Sequence, residues 1–231
     1  MQSVYKCPIA MATLNLVDQG KLMLDQPVRL TVADYVPSEI HSPVRDQFPN
    51  GTTVTLKELL RLAVMESDGS ASDKLLDLDG GEQVVESYLV RLGVTGIKIR
   101  TKERDMAADS RAQYRSWAHP SEAAKLLRKI WKGEGLTRES RALLLDMMTN
   151  TSTAPHRIKF LLPEGTIVAH KSGTSGMARG LAAATNDCGI VTLPNGRHLI
   201  IAVFVMDSSA DEATRDMVIA KVAKLAWDRY R

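Results

Sequence analysis

Cysteine and histidine are both scarce in this chain of 231 residues. The two cysteines, Cys7 and Cys188, are too few for a framework of disulfide bonds, which leaves either one bridge between them or two ordinary core cysteines. The five histidines show no ligand spacing such as H-x-x-x-H. The sequence therefore predicts no metal site.

An excess of one charge and long apolar runs are missing as well. The chain has 30 basic and 27 acidic residues, a formal net charge of +3 and no run of five like charges, so we expect neither nucleic acid nor an anionic membrane as a partner. The longest strongly apolar stretch, 199–206, is far too short to span a bilayer. The first ten residues lack the basic start and apolar run of a signal peptide.

No internal repeat or long linker divides the chain, so we expect a single catalytic domain over residues 1–231. Its first part, residues 1–150, predicts a mostly helical lobe, because apolar residues recur there at helical spacing between helix-ending glycines. The predicted helices cover 3–19 and 82–92, follow a capping box at 55–58, and begin again at Pro120 and Thr137.

The second part, residues 151–231, changes to the pattern of strands. Strands are predicted at 166–171, 182–193 and 199–206, with Asn195-Gly196 favouring a tight hairpin, and a capping box at 209–212 opens a final helix. The sequence thus predicts an α/β (α+β) protein, an antiparallel sheet covered by helices plus an all-helical lobe. Three strands make a thin sheet for so many helices, so the architecture looks incomplete.

Ser3 and Lys6 place a hydroxyl and an amine one helical turn apart on the same face. A serine must lose its proton to attack a carbonyl, and a lysine with a lowered pKa can help to remove it. Free backbone N–H groups at a helix start can also stabilise an oxyanion. Taken alone, the pair is equally typical of a helix cap beside a solvated lysine.

Two further short motifs follow in order. Ser-Asp-Gly at 67–69 interrupts a helix, and Lys-Ser-Gly-Thr at 171–174 ends a predicted strand. Each is also found in ordinary turns and strand ends. The three motifs in this order are far more specific, because S-x-x-K with S-D-N and K-T-G marks class A β-lactamases and penicillin-binding proteins.

The chain resembles a class A serine β-lactamase of the extended-spectrum subgroup along essentially its whole length. The subgroup's MQSVxK, QYxxW and HKxGTSG segments correspond to residues 1–6, 113–117 and 170–176. The resemblance implies hydrolysis of the β-lactam amide bond of penicillins and cephalosporins through a serine acyl-enzyme, conferring antibiotic resistance. It also implies β-lactams as the partner, no cofactor, a monomer, and a periplasmic or secreted location for the intact protein.

The resemblance assigns catalytic roles residue by residue. Ser3 is the implied nucleophile, and Lys6 and Glu103 share the proton transfer of acylation. Ser67 passes a proton to the departing lactam nitrogen, and Lys171 keeps the site cationic. Glu103, expected in a loop after a short strand, then activates water for deacylation.

Binding roles follow from the same resemblance. The backbone N–H groups of Ser3 and Thr174 form the implied oxyanion hole. An arginine holds the substrate carboxylate, with Arg157 the first candidate, Arg179 the reserve, and a plain surface arginine the alternative for either. The substrate-binding residues are predicted to be His41, Gly69, Ala107, Arg157, Ser172, Gly173 and Thr174.

Several positions depart from the family pattern. Gly69 stands where most members have Asn, which predicts room for bulky substituents and a broadened choice of substrate. Ala107 stands where many members have an Asn that holds the hydrolytic water. His41 falls where an aromatic residue often covers the site, and either stacks on substrate or is a solvated loop histidine.

Glu103 is followed by Arg104 rather than proline, so we expect a trans peptide bond between them. Asp73 either positions Glu103 or is an acid on a helix surface. Glu103 also separates hydrolysis from its enzymatic alternative, a peptidoglycan D,D-transpeptidase or carboxypeptidase, because hydrolysis needs a base for water. By itself, the sequence around Glu103 is also typical of a charged loop.

Family members carry a signal peptide, a first helix and two strands ahead of the nucleophile. We therefore expect a misplaced start or a truncated gene, and a chain of marginal stability and low activity. The alternative that is not an enzyme is an inactive β-lactam-binding fragment.

Overall fold

The computed structural model describes residues 1–109 and 111–231. Its helices are α1 (Lys6–Asp18), α2 (Pro43–Gln47), α3 (Leu56–Met65), α4 (Gly69–Asp79), α5 (Glu82–Arg91), α6 (Glu103–Ala108), α7 (Pro120–Lys132), α8 (Arg138–Thr149) and α9 (Glu212–Tyr230). Its strands are β1 (Pro27–Leu30), β2 (Thr52–Thr55), β3 (Ile97–Lys98), β4 (Trp117–Ala118), β5 (Val168–Thr174), β6 (Met177–Ala178), β7 (Leu181–Thr192) and β8 (His198–Ser208).

The main sheet is antiparallel and is organised around β7. One side of β7 pairs with β5 and then β6, and the other side pairs with β8. Lys171 on β5 lies opposite Cys188 on β7, so the motif at 171–174 is held in the middle of the sheet. The predicted fold class is confirmed, and the three predicted strands are β5, β7 and β8.

Of the five short strands, only β3 was expected, as the short strand before Glu103, and β1, β2, β4 and β6 escaped the sequence analysis. β1 pairs with β2, and β3 pairs with β4, as antiparallel ribbons separate from the main sheet. β6 adds a fourth strand to the main sheet beside β7. Strands of two to four residues are too short to show a period of two.

Several helix ends lie where the sequence places them. Pro120 is the first residue of α7, and Gly133 ends that helix in the left-handed conformation at φ +72°. Thr137 caps α8 by accepting a hydrogen bond from the backbone of Ser140. These predictions are confirmed because each depends on the local chemistry of a cap rather than on distant contacts.

Both predicted capping boxes need correction. At α3 only half of the box forms, because the Glu58 carboxylate pairs with Arg61 instead of returning to the Thr55 backbone. At α9 the box at 209–212 is wrong. Asp211 caps this helix by accepting from the backbone of Thr214 at 2.7 Å, since an aspartate next to the first turn serves the same N–H groups.

Helix α1 crosses the main hydrophobic core and is buried over its first nine residues, 6–14. It packs against α3, α4, α5 and α8, so the helix that begins beside the motif serine is held on several sides. A second apolar cluster lies between the main sheet and α9, centred on Ile219, Ala223 and Trp227. Cys7 and Cys188 are free and buried, as two core cysteines.

Within the described ranges, no helix combines the length and the apolar character needed to cross a membrane.

Candidate active site

The three sequence motifs meet around one cavity of about 610 Å³. It opens between the start of α1, the α3–α4 connection, the start of α6 and the end of β5. The motif residues that line it are Ser3, Lys6, Ser67, Glu103, Ser172, Gly173 and Thr174. Residues far apart in sequence thus contribute to a single concave site, which is the usual form of a small-molecule site.

Ser3 lies in a 3-10 turn, Gln2–Tyr5, that leads directly into α1 at Lys6. Gln2 has a φ of +51°, a conformation that non-glycine residues rarely adopt and that is often found at functional sites. Lys6, one turn after Ser3, is 2% exposed. Ser3 and Lys6 both line the cavity at the start of α1, and the amine is buried.

Gly173 brings β5 against the backbone of this turn. A Cβ atom at residue 173 would lie 2.6 Å from the Met1 carbonyl oxygen and 3.0 Å from the Ser3 nitrogen. A glycine is needed there because any side chain would push the two backbones apart. The close approach sets this end of β5 against the Ser3 nitrogen, and Ser3 and Thr174 both line the cavity.

Two buried lysines surround Ser67. The Lys6 Nζ atom lies 2.9 Å from Glu103 Oε1 and donates to the Ser67 carbonyl oxygen at 2.6 Å. The Lys171 Nζ atom donates to Ser67 Oγ at 3.0 Å. Ser67 itself has a φ of +60°, so it is held in a strained backbone conformation between the two ammonium groups.

The surroundings of Lys171 lower its pKa to about 7. Burial is the largest cause, and the positive charge of Lys6 adds to it. The negative charges of Asp187 and Glu103 act in the opposite direction. Lys171 therefore exchanges its proton near neutral pH, next to the Ser67 hydroxyl.

Asp73 holds the start of α6. Its Oδ1 atom accepts from the Glu103 backbone at 2.8 Å, and its Oδ2 atom accepts from the backbone and Nε of Arg104 at 3.2 and 3.1 Å. Burial raises the pKa of Asp73 to about 6, against the lowering effect of these donors. Of the two roles considered for Asp73, these contacts favour positioning of Glu103.

Glu103 does not lie in a loop as expected. It is the first residue of α6, and its carboxylate is buried beside Lys6. Cis peptide bonds are absent from the described residues, so the predicted trans bond between Glu103 and Arg104 is confirmed.

Arg157 reaches the opposite end of the cavity. Its Nη2 atom donates to Thr174 Oγ1 at 2.7 Å, while its Nε atom pairs with Asp216 Oδ1 at 2.7 Å. The Ser172 hydroxyl, on the same strand as Thr174, lies 3.1 Å from the Thr153 hydroxyl. Arg179 is exposed in the turn between β6 and β7 and is not among the residues lining the cavity, so the geometry favours Arg157 over this reserve candidate.

The predicted opening of the site at Gly69 is wrong. A Cβ atom on Gly69 would lie 2.9 Å from Ile40 Cγ2, 3.2 Å from the His41 carbonyl oxygen and 3.3 Å from Val36 Cγ2. Gly69 is buried, and its N–H donates to that same carbonyl at 2.9 Å. The space next to this glycine is filled by the segment that carries His41 rather than left open for substrate.

Ala107 also needs correction as a binding residue. It is exposed on α6 and does not line the cavity, whereas Met106 does. Because Glu103 begins a helix instead of a loop, the position three residues later faces the site. His41 does line the cavity and is tethered through Nε2, 2.9 Å from the Glu66 carbonyl oxygen.

Sequence reasoning missed Thr153 and Asp216, which both line the cavity. Each acts through a partner from another element, Thr153 through Ser172 and Asp216 through Arg157. No local motif marks either residue, because their roles arise only when α9 and the segment before β5 pack against the sheet. Within the described ranges, no group of three or more His, Cys, Asp or Glu side chains is placed to hold a metal ion.

Comparison with known proteins agrees with this geometry. The sequence model of the β-lactamase enzyme family matches residues 1–230. The chain is 41% identical to β-lactamase VEB-1 of Pseudomonas aeruginosa, covering 100% of this chain and 77% of the relative. It is also 41% identical to the extended-spectrum β-lactamase PER-1 of Pseudomonas aeruginosa, covering 98% of this chain and 74% of that protein.

Solved structures agree as well. A β-lactamase from Chitinophaga pinensis superposes with a TM-score of 0.98 at 44% identity, covering 100% of this chain and 85% of that one. The TLA-1 extended-spectrum β-lactamase superposes with a TM-score of 0.96 at 39% identity, covering 99% and 83%. With Ser3, Lys6 and Glu103 around one cavity and Lys171 beside Ser67, these likenesses show that the chain belongs to the class A extended-spectrum β-lactamases, which hydrolyse β-lactams.

Proposed function

We propose that the chain hydrolyses β-lactams through an acyl-enzyme on Ser3, which a water molecule activated by Glu103 then releases. The observation that carries this proposal is the buried ion pair of Lys6 Nζ and Glu103 Oε1 at 2.9 Å. Lys6 follows Ser3 by one helical turn, and all three residues line the same cavity. A nucleophilic hydroxyl next to a group that can remove its proton is the requirement for covalent catalysis by serine.

Acylation begins when the Ser3 hydroxyl attacks the lactam carbonyl carbon. The serine proton passes to the Lys6–Glu103 pair, and the carbonyl oxygen becomes an oxyanion. The backbone N–H groups of Ser3 and Thr174 stabilise that charge. The close approach at Gly173, which sets β5 beside the Ser3 nitrogen, supports this assignment.

Ring opening needs a proton for the departing nitrogen. Ser67 supplies it from its hydroxyl and takes a replacement from Lys171, whose Nζ atom lies 3.0 Å from Ser67 Oγ. A lysine with a pKa of about 7 gives up a proton far more readily than an ordinary lysine. Cleavage of the carbon–nitrogen bond leaves Ser3 esterified.

The carboxylate of the substrate binds at the end of β5. Ser172, Thr174 and Arg157 place two hydroxyls and a guanidinium at that end of the cavity, with the Lys171 ammonium behind them. An anion is attracted to such a set of donors, and hydrogen bonds to charged groups are stronger than neutral ones. Asp216 holds the guanidinium of Arg157 in place.

Deacylation distinguishes this enzyme from a transpeptidase. The Lys6–Glu103 pair first passes the proton taken in acylation on to Lys171, which had given one up. The ionised Glu103 carboxylate then accepts a proton from water, which attacks the ester carbonyl, and this proton passes to Ser3 Oγ as it leaves. Asp73 fixes the Glu103 backbone at 2.8 Å and so holds the base in position. Penicillin-binding enzymes share the other motifs, and their acyl-enzymes are long-lived.

The function further implies where the enzyme works. Because β-lactams act outside the cytoplasm, we place the enzyme in the periplasm or outside the cell, where it would confer resistance. We also infer that it acts as a monomer, since every group in the proposed mechanism comes from one chain. Size-exclusion chromatography would contradict this by showing a stable dimer.

The test uses a chromogenic cephalosporin, with colour and intact protein mass followed together. We expect steady turnover by the unchanged chain, and a trapped acyl-enzyme in Glu103→Gln with turnover reduced by about 100-fold or more, the upper part of the usual contribution of a general base. Ser3→Ala is the control and should show neither colour nor adduct. A persistent adduct on the unchanged chain would favour the transpeptidase, and neither turnover nor adduct would favour an inactive fragment.

A further inference from the structure

Two buried hydroxyl groups, Tyr5 Oη and Ser72 Oγ, make no hydrogen bond, and the phenol neighbours the buried carboxylate of Glu103. The Oε1 atom of that carboxylate is already ion-paired with Lys6 Nζ at 2.9 Å. In residues 1–109 and 111–231 only six buried side-chain polar atoms are without a hydrogen bond by the same criteria, and the two hydroxyls are among them. Buried polar groups in folded proteins are nearly always hydrogen-bonded, so these two hydroxyls need a specific explanation.

Tyr5 lies in the same 3-10 turn as Ser3, directly before Lys6. Its side chain is fully buried and does not line the site. Ser72 approaches from α4, one residue before Asp73. The phenol is close enough to Ser72 and Glu103 for both to shift its pKa as hydrogen-bonding neighbours.

The phenol stays neutral and therefore remains a donor. Burial raises the pKa of Tyr5 well above its ordinary value, and the negative charges of Glu103 and Asp73 raise it further. An ionised carboxylate can only accept hydrogen bonds, whereas a serine hydroxyl can both donate and accept. The arrangement that satisfies all three groups runs from the Ser72 hydroxyl to Tyr5 Oη, and from the Tyr5 hydroxyl to Glu103.

We propose that Tyr5 is a positioning residue whose hydroxyl, outside the cavity lining, donates to the Glu103 carboxylate, with Ser72 donating to Tyr5 in turn. This rests on the proposed role of Glu103 as the base of deacylation. The hydrogen bond favours the ionised carboxylate and fixes its orientation. A donor chain of this kind strengthens each bond in it, because every hydroxyl polarises the next.

The other groups near Glu103 are charged groups rather than neutral hydrogen-bond donors to its carboxylate. Lys6 at the start of α1 lies on the cavity side at 2.9 Å, and Lys171 on β5 adds a more distant positive charge. Asp73 on α4 binds the backbone rather than the carboxylate, and Arg104 on α6 is paired with Asp73. Tyr5 is thus the neutral donor in the described surroundings of this carboxylate.

The experiment compares Tyr5→Phe with the unchanged enzyme, because phenylalanine keeps the ring and removes only the hydroxyl. For a substrate limited by deacylation, we expect the acid limb of the kcat profile to move up by roughly 0.3–1 pH unit, with kcat on that limb falling about 2- to 10-fold. Intact mass should show more acyl-enzyme at the same pH. Ser72→Ala should shift the limb in the same direction by a smaller amount.

Tyr88→Phe is the matched control. Tyr88 is also buried, and its hydroxyl donates to the Gly135 carbonyl oxygen at 3.0 Å, away from the cavity lining. This variant should lower the melting temperature without moving the acid limb. The proposal is overturned if folded Tyr5→Phe and Ser72→Ala both keep the original limb, or if Tyr88→Phe moves it equally.

Combination with Glu103→Gln separates the two proposals. If Glu103 is the base, its replacement alone blocks deacylation, and adding Tyr5→Phe should slow the remaining deacylation no further. If Glu103→Gln turns over normally, the proposed function fails. If Glu103→Gln blocks deacylation but Tyr5→Phe leaves the pH profile unchanged, only the role of Tyr5 fails.

Discussion

Lys6 and Lys171 differ in the groups that surround their ammonium groups. Lys6 has the Glu103 carboxylate as a partner at 2.9 Å, whereas Lys171 has only hydroxyl and carbonyl oxygens within hydrogen-bonding distance among the described residues. A buried ammonium without a paired carboxylate loses its proton more easily. The same residue type is therefore suited to an ion pair at one position and to proton supply at the other.

Lys171→Arg tests this difference. The pKa of Lys171 is about 7, so its charge is lost above neutral pH and an anionic substrate is bound less well. We expect kcat/KM to fall roughly tenfold per pH unit above that value, since kcat/KM reports ionisation in the free enzyme. Arginine remains charged, so in the variant the alkaline limb should move up by about two units or more. An alkaline limb at the same pH in both enzymes would contradict the assignment.

Gly69 shows how a glycine can be explained by packing instead of by substrate. Gly69→Ala would place a methyl group 2.9 Å from Ile40 Cγ2, and overpacking of this kind costs about 1–3 kcal/mol. We expect a lower melting temperature, measured by calorimetry. Gly176→Ala is the control, because a Cβ atom there meets nothing within 4 Å and the backbone is not left-handed. Equal melting temperatures for the two variants would disprove the packing explanation.

At the scale of elements, local chemistry could be predicted and pairing between distant segments could not. The ends of α7 and the cap of α8 depend on Pro120, Gly133 and Thr137 alone, and the sequence places all of them correctly. The hairpin at Asn195-Gly196 joins β7 and β8 as expected. The ribbons β1–β2 and β3–β4 pair residues that are 19 to 28 positions apart, so apart from β3 itself no local pattern marks them.

The candidate site follows the same division. Ser3, Lys6, Ser67 and Lys171 were found because each lies in a short motif. Ser3, Lys6 and Ser67 line one cavity with Glu103, and Lys171 lies next to it with its Nζ atom 3.0 Å from Ser67 Oγ. The helical start of α6 was missed, since its cap uses Asp105 and Lys102 in a segment that also reads as a charged loop. Contacts such as those of Asp216 and Thr153 arise from tertiary packing and leave no local signal.

The stability of the whole molecule should depend on pH through a carboxyl group remote from the cavity. Asp79, at the end of α4, is 4% exposed, and the Thr13 hydroxyl of α1 lies 2.8 and 3.1 Å from its two oxygens. That hydroxyl also lies 3.1 Å from the Ile9 carbonyl oxygen. Protonated Asp79 can donate to the Thr13 hydroxyl oxygen, and the Thr13 hydroxyl can then donate to the Ile9 carbonyl oxygen. Each of these two oxygens thus accepts one hydrogen bond.

Burial raises the pKa of Asp79 from 3.8 to about 8. Because the native state then binds the proton more tightly than the unfolded chain, this group contributes most stability below about pH 4, and that contribution is lost as the pH rises toward 8. Asp73, whose pKa is about 6, acts in the same direction but has largely titrated by pH 6.5. Lys171, with its lowered pKa of about 7, acts in the opposite direction as the pH rises.

Asp79→Asn isolates this effect, because every other titrating group is common to both proteins. The amide cannot ionise, so the free energy of unfolding should fall less between pH 6.5 and 8.5 in the variant than in the unchanged chain, as measured by urea unfolding at each pH. Asp25→Asn is the control, since Asp25 is exposed and its loss should leave the pH dependence as it was. Parallel pH curves for Asp79→Asn and the unchanged chain would show that Asp79 is already ionised in the native protein, and that the contact between α1 and α4 does not hold a neutral acid.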